Sequence, residues 1–172
     1  MCDLAYFYKD ILGDFKKAEG YYKRALAAAE DEDDLREVEW KLAYLYFRCG
    51  KKKDARIHAA RSLEHFRKSG SGTEENYLNY LPFGPARLMR FGWLYICLGE
   101  TQKGLKMLED MIRWPRCRQC RYKACYEGFQ HLGMYYEAVG DLGKARECYE
   151  KAYEFNGHDI SIIIALKRIQ KL

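Results

Sequence analysis

The chain has 172 residues, 48% of them hydrophobic and 32% charged, with a net charge of +5. That balance is globular rather than disordered, and the charge is too mild to mark a nucleic-acid binder by itself. No run reaches the ~18–20 apolar residues of a membrane span, residues 1–12 lack the apolar core of a secretory signal, and seven scattered cysteines suit a reducing cytoplasm better than a disulfide framework.

In chain order the sequence predicts nine helices. Three prolines in all leave room for long ones. The expected pairs are 2–12 with 15–30, 34–49 with 52–68, 86–98 with 101–113, and 120–139 with 142–155. A closing helix follows over about 159–171, with Asp159 or Ser161 as its N-cap. Each leading helix is aromatic-rich and runs into a glycine: "LAYFYKDILG", "LAYLYFRCG", "FGWLYICLG", "LGMYYEAVG". Five residues after each glycine stands a small residue, giving Gly13 and Ala18, Gly50 and Ala55, Gly99 and Gly104, Gly140 and Ala145. Glycine suits a left-handed helix cap, and the small residue lets two helices approach.

The pattern resembles the tetratricopeptide repeat, whose signature is a large residue, then Leu-Gly, Tyr, Ala, an aromatic and Ala at fixed offsets. The fourth unit carries it best, with Phe129, Leu132, Gly133, Tyr136, Ala145, Tyr149 and Ala152. The second gives Leu42, Ala43, Tyr46 and Ala55, with Ala59 in place of the aromatic. The third gives Leu88, Phe91, Gly92, Tyr95 and Leu108 and closes at Pro115, with Gly104 in place of the alanine. The first has Ala18, Tyr22 and Ala25, but its leading helix slips by one residue. The resemblance implies an all-α fold: an α-solenoid of about four antiparallel helix pairs plus a C-terminal capping helix, wound as a right-handed superhelix. The expected organisation is a single domain over 1–172. Repeats lie near 1–32, 33–68, 86–115 and 120–156, with an insertion at 69–85 and the cap at 159–172.

The leading helices carry a second apolar stripe where a surface helix needs one. It comprises Trp40, Tyr44 and Phe47, then Met89, Trp93 and Ile96, then Gln130, Met134 and Glu137, with Phe7 in the first unit. In the family this stripe lines the concave side, so the resemblance implies a groove for a peptide or amphipathic helix. Arg48 and Arg90 stand beside an apolar floor, and Gln130 and Glu137 make one end polar. Aromatic and Met side chains are favoured anchors. Tyr44, Trp93 and Met134 stand where a carboxylate clamp would have asparagine, so an acidic C-terminus is not the expected ligand. The competing reading is that the groove is filled from within, by neighbouring helices or by "SGSGTEENYLNYLPFGP", residues 69–85.

The alternative function uses "RWPRCRQCRYKACY", where Arg113, Arg116, Arg118, Arg121 and Lys123 are interleaved with aromatics and could meet nucleic acid or another polyanion. Cys117, Cys120 and Cys125, with His131 nearby, invite a zinc reading, but one C-x2-C is half a site and Cys125 and His131 fall on different faces of a helix. His58 and His65, seven apart on one helix, read as surface residues. No cofactor, metal or catalytic motif is expected, and the chain is not read as an enzyme. The expected partner is a protein segment. The apolar closing helix, through Ile163 or Ile164, suggests a homodimer through the terminal helices, and the start inside a helix suggests either that dimer or a fragment of a longer chain.

Overall fold

The computed structural model describes residues 2–69, 84–113 and 126–171. Its elements are α1 (Cys2–Tyr6) continuing into a π turn (Phe7–Ile11), α2 (Phe15–Ala27), α3 (Glu32–Arg48), α4 (Lys52–Lys68), α5 (Gly84–Leu98), α6 (Thr101–Ile112), α7 (Tyr126–Val139), α8 (Leu142–Phe155) and α9 (Ile160–Ile169). Neighbours pack in order, α1 on α2, α3 on α4, α5 on α6 and α7 on α8, and each pair packs on the next. The fold is an all-α solenoid, as the repeated pattern predicts. The expected helix at 120–139 begins within the described residues at Tyr126, and residues 70–83 of the insertion lie outside them.

Local chemistry explains the punctuation. Gly13, Gly50, Gly99 and Gly140 all have positive φ, from 67° to 97°, which an L side chain rarely adopts. After Gly50, Gly99 and Gly140 the next N–H reaches back five residues: Lys51 to Tyr46, Glu100 to Tyr95 and Asp141 to Tyr136, each at 2.9 Å. After Gly13, the Asp14 N–H reaches back six, to the Tyr8 carbonyl at 2.8 Å. The one-residue slip in the first unit is therefore absorbed inside its leading helix as a π turn, closed by Leu12 N–H on the Phe7 carbonyl at 3.2 Å. Asp14, Asp31, Asp141 and Asp159 cap the following helices through their side chains.

Small residues sit where helices cross. Ala18, Ala55 and Ala145 are fully buried, and a Cβ on Gly133 would meet the Tyr149 ring at 2.8 Å. The third pair is tighter still. A Cβ on Gly92 would lie 3.0 Å from the Gly104 carbonyl, and one on Gly104 would collide with the Gly92 carbonyl. Between units, Leu42, Leu45, Leu108 and Ile162 are sealed, each contributing about 1.5–3 kcal/mol by burial. His58 and His65 are not free surface groups: they bond Glu39 and Glu32 of α3 and tie the second pair together.

Packed on α8, the closing helix also touches the π turn of the first unit. Ile162 is fully buried and Ile163 and Ile164 are half-buried within this chain, while Ile160 remains 62% exposed. The first and last units of the array are thus in contact.

Candidate functional site

The inner face is built from the leading helices α3, α5 and α7, with the π turn at one side. Through its middle runs an aromatic column. The Tyr44 ring meets Trp93 edge-on at 4.5 Å between centroids, and Phe47 meets Trp93 edge-on at 5.8 Å. The Trp93 indole donates to His131 Nδ1 at 3.0 Å, and the Tyr44 hydroxyl reaches the Met134 sulfur. Accepting at Nδ1 leaves the neutral His131 proton on Nε2. Burial, helped by the charges of Lys9 and Arg48, pushes the His131 pKa down to about 3.

A chain of charges crosses the same face. Lys9 Nζ lies 2.9 Å from Asp10, and Asp10 accepts from the Arg48 guanidinium at 2.8 Å. Arg48 is 3.9 Å from Glu137, and Glu137 takes a bidentate pair from Arg168 of α9 at 2.6 and 2.8 Å, together with the Tyr149 hydroxyl at 2.8 Å. Burial opposes ionisation of Glu137, but the Arg168 bonds and charge, aided by Tyr149 and Arg48, outweigh it and hold its carboxyl below the usual value. Burial lowers the Lys9 pKa against the pull of Asp10. These partners come from the first, second and fourth units and the closing helix. The chain therefore fixes the curvature of the array, because each charge is costly to bury unless its neighbour is in place.

These contacts correct the expectation of an open apolar floor. Trp93 is 1% exposed, Ile96 2% and Tyr44 3%. The curvature brings α3 into contact with α7, so side chains expected to wait for a ligand satisfy one another. Arg48 and Glu137 belong to the charge chain, and Arg90 pairs with Glu37 at 2.7 Å. Phe7 points outward, 46% exposed, and the π turn presents Lys9 and Asp10 to the inner face instead. Of the alternative polyanion set, Arg113 caps α6, while Arg116, Arg118, Arg121 and Lys123 lie outside the described residues with Cys117, Cys120 and Cys125.

The inner face is not wholly closed. A cavity of about 440 Å³ remains between the first unit and helices α3, α5 and α7. Five expected groove residues border it: Trp40, Tyr44, Met89, Gln130 and Met134. Asp3, Tyr6, Lys9, Asp10, Lys41 and His131 are among its polar lining, and Glu127 and Asp159 border it too. Gln130 is held by Ser161 at 2.5 Å, which ties this lining to the closing helix. Burial, then the charge of Asp159, raises the Glu127 pKa. Sequence reasoning missed Lys9 and Asp10, and weighed His131 only as a zinc ligand. The available signals were the five-residue spacing from Tyr8 to Gly13, against four elsewhere, and an unmatched arginine on the inner stripe.

A family model described as the tetratricopeptide repeat matches residues 126–159, which are α7, α8 and the turn into α9. That unit of the chain is a tetratricopeptide repeat. The chain's other three helix pairs repeat the packing of the matched unit, and no curated protein matches the chain. Tetratricopeptide repeats serve in general as protein–protein interaction modules, typically as non-catalytic scaffolds, and protein partners are the general expectation. Among the described residues no helix is long and apolar enough to cross a membrane.

Proposed function

We propose that this chain is a tetratricopeptide-repeat adaptor that accepts a short segment of a partner protein into the 440 Å³ inner cavity. The observation that carries the reading is the coincidence of that cavity with five of the inner-stripe residues, while Arg48, Arg90, Trp93 and Glu137 are engaged within the chain. Trp40, Tyr44, Met89 and Met134 offer apolar and aromatic anchorage on one side. Glu127, Asp159 and Gln130 offer polar partners on the other. The segment is then amphipathic, and it enters as a side chain or a turn rather than as a long helix laid along an open trough. Work in a reducing compartment, the cytoplasm, agrees with the scattered odd number of cysteines.

A peptide-display selection on the folded protein tests this. Selected segments should lose roughly tenfold or more in affinity on Met89→Lys, a half-buried site on the cavity wall, while the circular dichroism spectrum is kept. Segments that bind Met89→Lys as tightly as the parent would remove the cavity from the account.

A further inference from the structure

Two residues expected in the inner groove, Phe47 and Ile96, do border open space, at a different place. A second cavity of about 370 Å³ opens at the edge of the array, where the C-terminal ends of α3, α5 and α7 meet the start of α4. Its apolar wall includes Phe47, Ile96, Tyr135 and Val139. Phe47 and Tyr135 stack at 6.2 Å, and Val139 is 48% exposed. Cavities of about 150 Å³ hold a benzene ring, so this one has room for an aromatic side chain and part of a neighbour.

Its charged rim has one sign. Lys52, Lys53 and Arg56 line it, and among the described residues no carboxylate does. All three are exposed, and none makes a side-chain ion pair among the described residues. Lys51, by contrast, is turned toward Glu19 at 3.4 Å, and Lys103 sits over the Tyr95 ring at 3.5 Å. Nor does the fold benefit from these cations. Lys52 and Lys53 stand in the first turn of α4, where positive charge opposes the helix dipole and Asp54 is the lone acid. The trailing helices α2 and α8 start instead on Asp14 and Asp141.

We infer that this edge cavity is a second docking site, separate from the inner one, for an acidic amphipathic segment of a partner protein. The segment's apolar side chains enter between Phe47, Tyr135 and Val139, and its carboxylates meet Lys52, Lys53 and Arg56. Charge complementarity names the occupant: a basic or neutral segment would leave three cations unmatched around an apolar floor.

The experiment is a peptide-display selection on the full chain, counter-selected on Lys52→Glu/Lys53→Glu/Arg56→Glu, with each enriched peptide measured by fluorescence anisotropy. The expected peptides carry Asp or Glu beside Leu, Phe or Trp, and lose roughly tenfold or more in affinity on the triple variant. They should keep their affinity on Met89→Lys, which separates this site from the inner cavity. Replacing their apolar residues with serine should cost as much as the charge reversal. Because the reversal favours the helix dipole, the variant's melting temperature should hold or rise. Enriched peptides without net negative charge, or affinity retained within about twofold on the triple variant, would overturn the proposal. So would equal competition by polyglutamate, or tighter binding of a single-stranded oligonucleotide, since either makes the rim a plain polyanion patch. A concentration-dependent dimer abolished by the triple variant would assign the cavity to a second copy of this chain and equally overturn it.

Discussion

Asp10 of the first unit accepts a hydrogen bond from Arg48 of the second at 2.8 Å, and both side chains are nearly sealed, 3% and 6% exposed. This pair stands where the repeat pattern alone would have left room for a ligand. Removing one partner strands the other charge, so Asp10→Ala or Arg48→Ala should each cost about 3–5 kcal/mol of stability. Asp10→Leu combined with Lys9→Met and Arg48→Met, which leaves neither cationic partner of Asp10 buried and unpaired, should recover most of that loss. Urea denaturation of the parent and the variants measures each loss and the recovery. Additive single losses with no recovery would show that the pair does not hold the first unit in place.

The Glu137 pair with Arg168 ties the closing helix to the inner face. A carboxylate whose folded pKa is lowered contributes stability that is present above its unfolded value, near 4.5, and is lost as the pH falls through the folded value. Protection of the α9 amides, taken relative to their intrinsic exchange rates, should therefore weaken on acidification below about pH 4.5, and Glu137→Gln should show the weakened protection already at neutral pH. Unchanged protection of α9 in Glu137→Gln would sever the closing helix from this pair.

His131 gives a second pH signature. Its depressed pKa means that the folded state keeps it neutral while the unfolded chain takes up a proton below about pH 6.5. Stability should thus fall with pH between roughly 6.5 and 3. Nitrogen-detected NMR should find the Nε2–H tautomer still neutral at pH 5. Protonation with an ordinary midpoint near 6.5 would mean that the bond from Trp93 and the enclosure around the ring do not persist in solution.

Gly104 departs from the repeat signature, which has alanine there. Restoring alanine should harm the protein, because the new Cβ collides with the Gly92 carbonyl and meets Ile96 at 2.6 Å. Overpacking of this kind costs about 1–3 kcal/mol. The melting temperature of Gly104→Ala measures it, and a rise would show that α5 and α6 are not pressed together at this crossing.

Much of the architecture was legible because it is encoded locally. The glycine after each aromatic stretch needs positive φ, the small residue five positions on marks a helix crossing, and aspartates cap the next helix. Those signals located α2 to α4, α6, α8 and α9 to within a few residues. The inner face was less legible for a physical reason. Whether Tyr44, Trp93 and Met134 face a groove or one another depends on how sharply the stack curves, and curvature is a sum over distant pairs. Here Asp10, Arg48, Glu137 and Arg168 help to fix it, and no local pattern links them. A charged Lys9-Asp10 dipeptide near the start of a chain looks solvated by default. Only the extra residue before Gly13 hinted that the helix would widen and turn both inward. Phe47 shows the converse: read as part of the groove floor, it packs edge-on against Trp93 and lies at the rim of the edge cavity as well.

The proposed function requires a partner segment to reach the cavity beside Trp40 and Met89 while the column under it stays closed. Methyl-labelled methionine NMR reads this directly, since Met89 and Met134 border the cavity and Met107 and Met111 do not. The titrant is a display-selected segment that still binds Lys52→Glu/Lys53→Glu/Arg56→Glu. The prediction is that the Met89 and Met134 resonances shift while those of Met107 and Met111 stay in place. Saturable binding that leaves Met89 and Met134 unmoved would contradict the account.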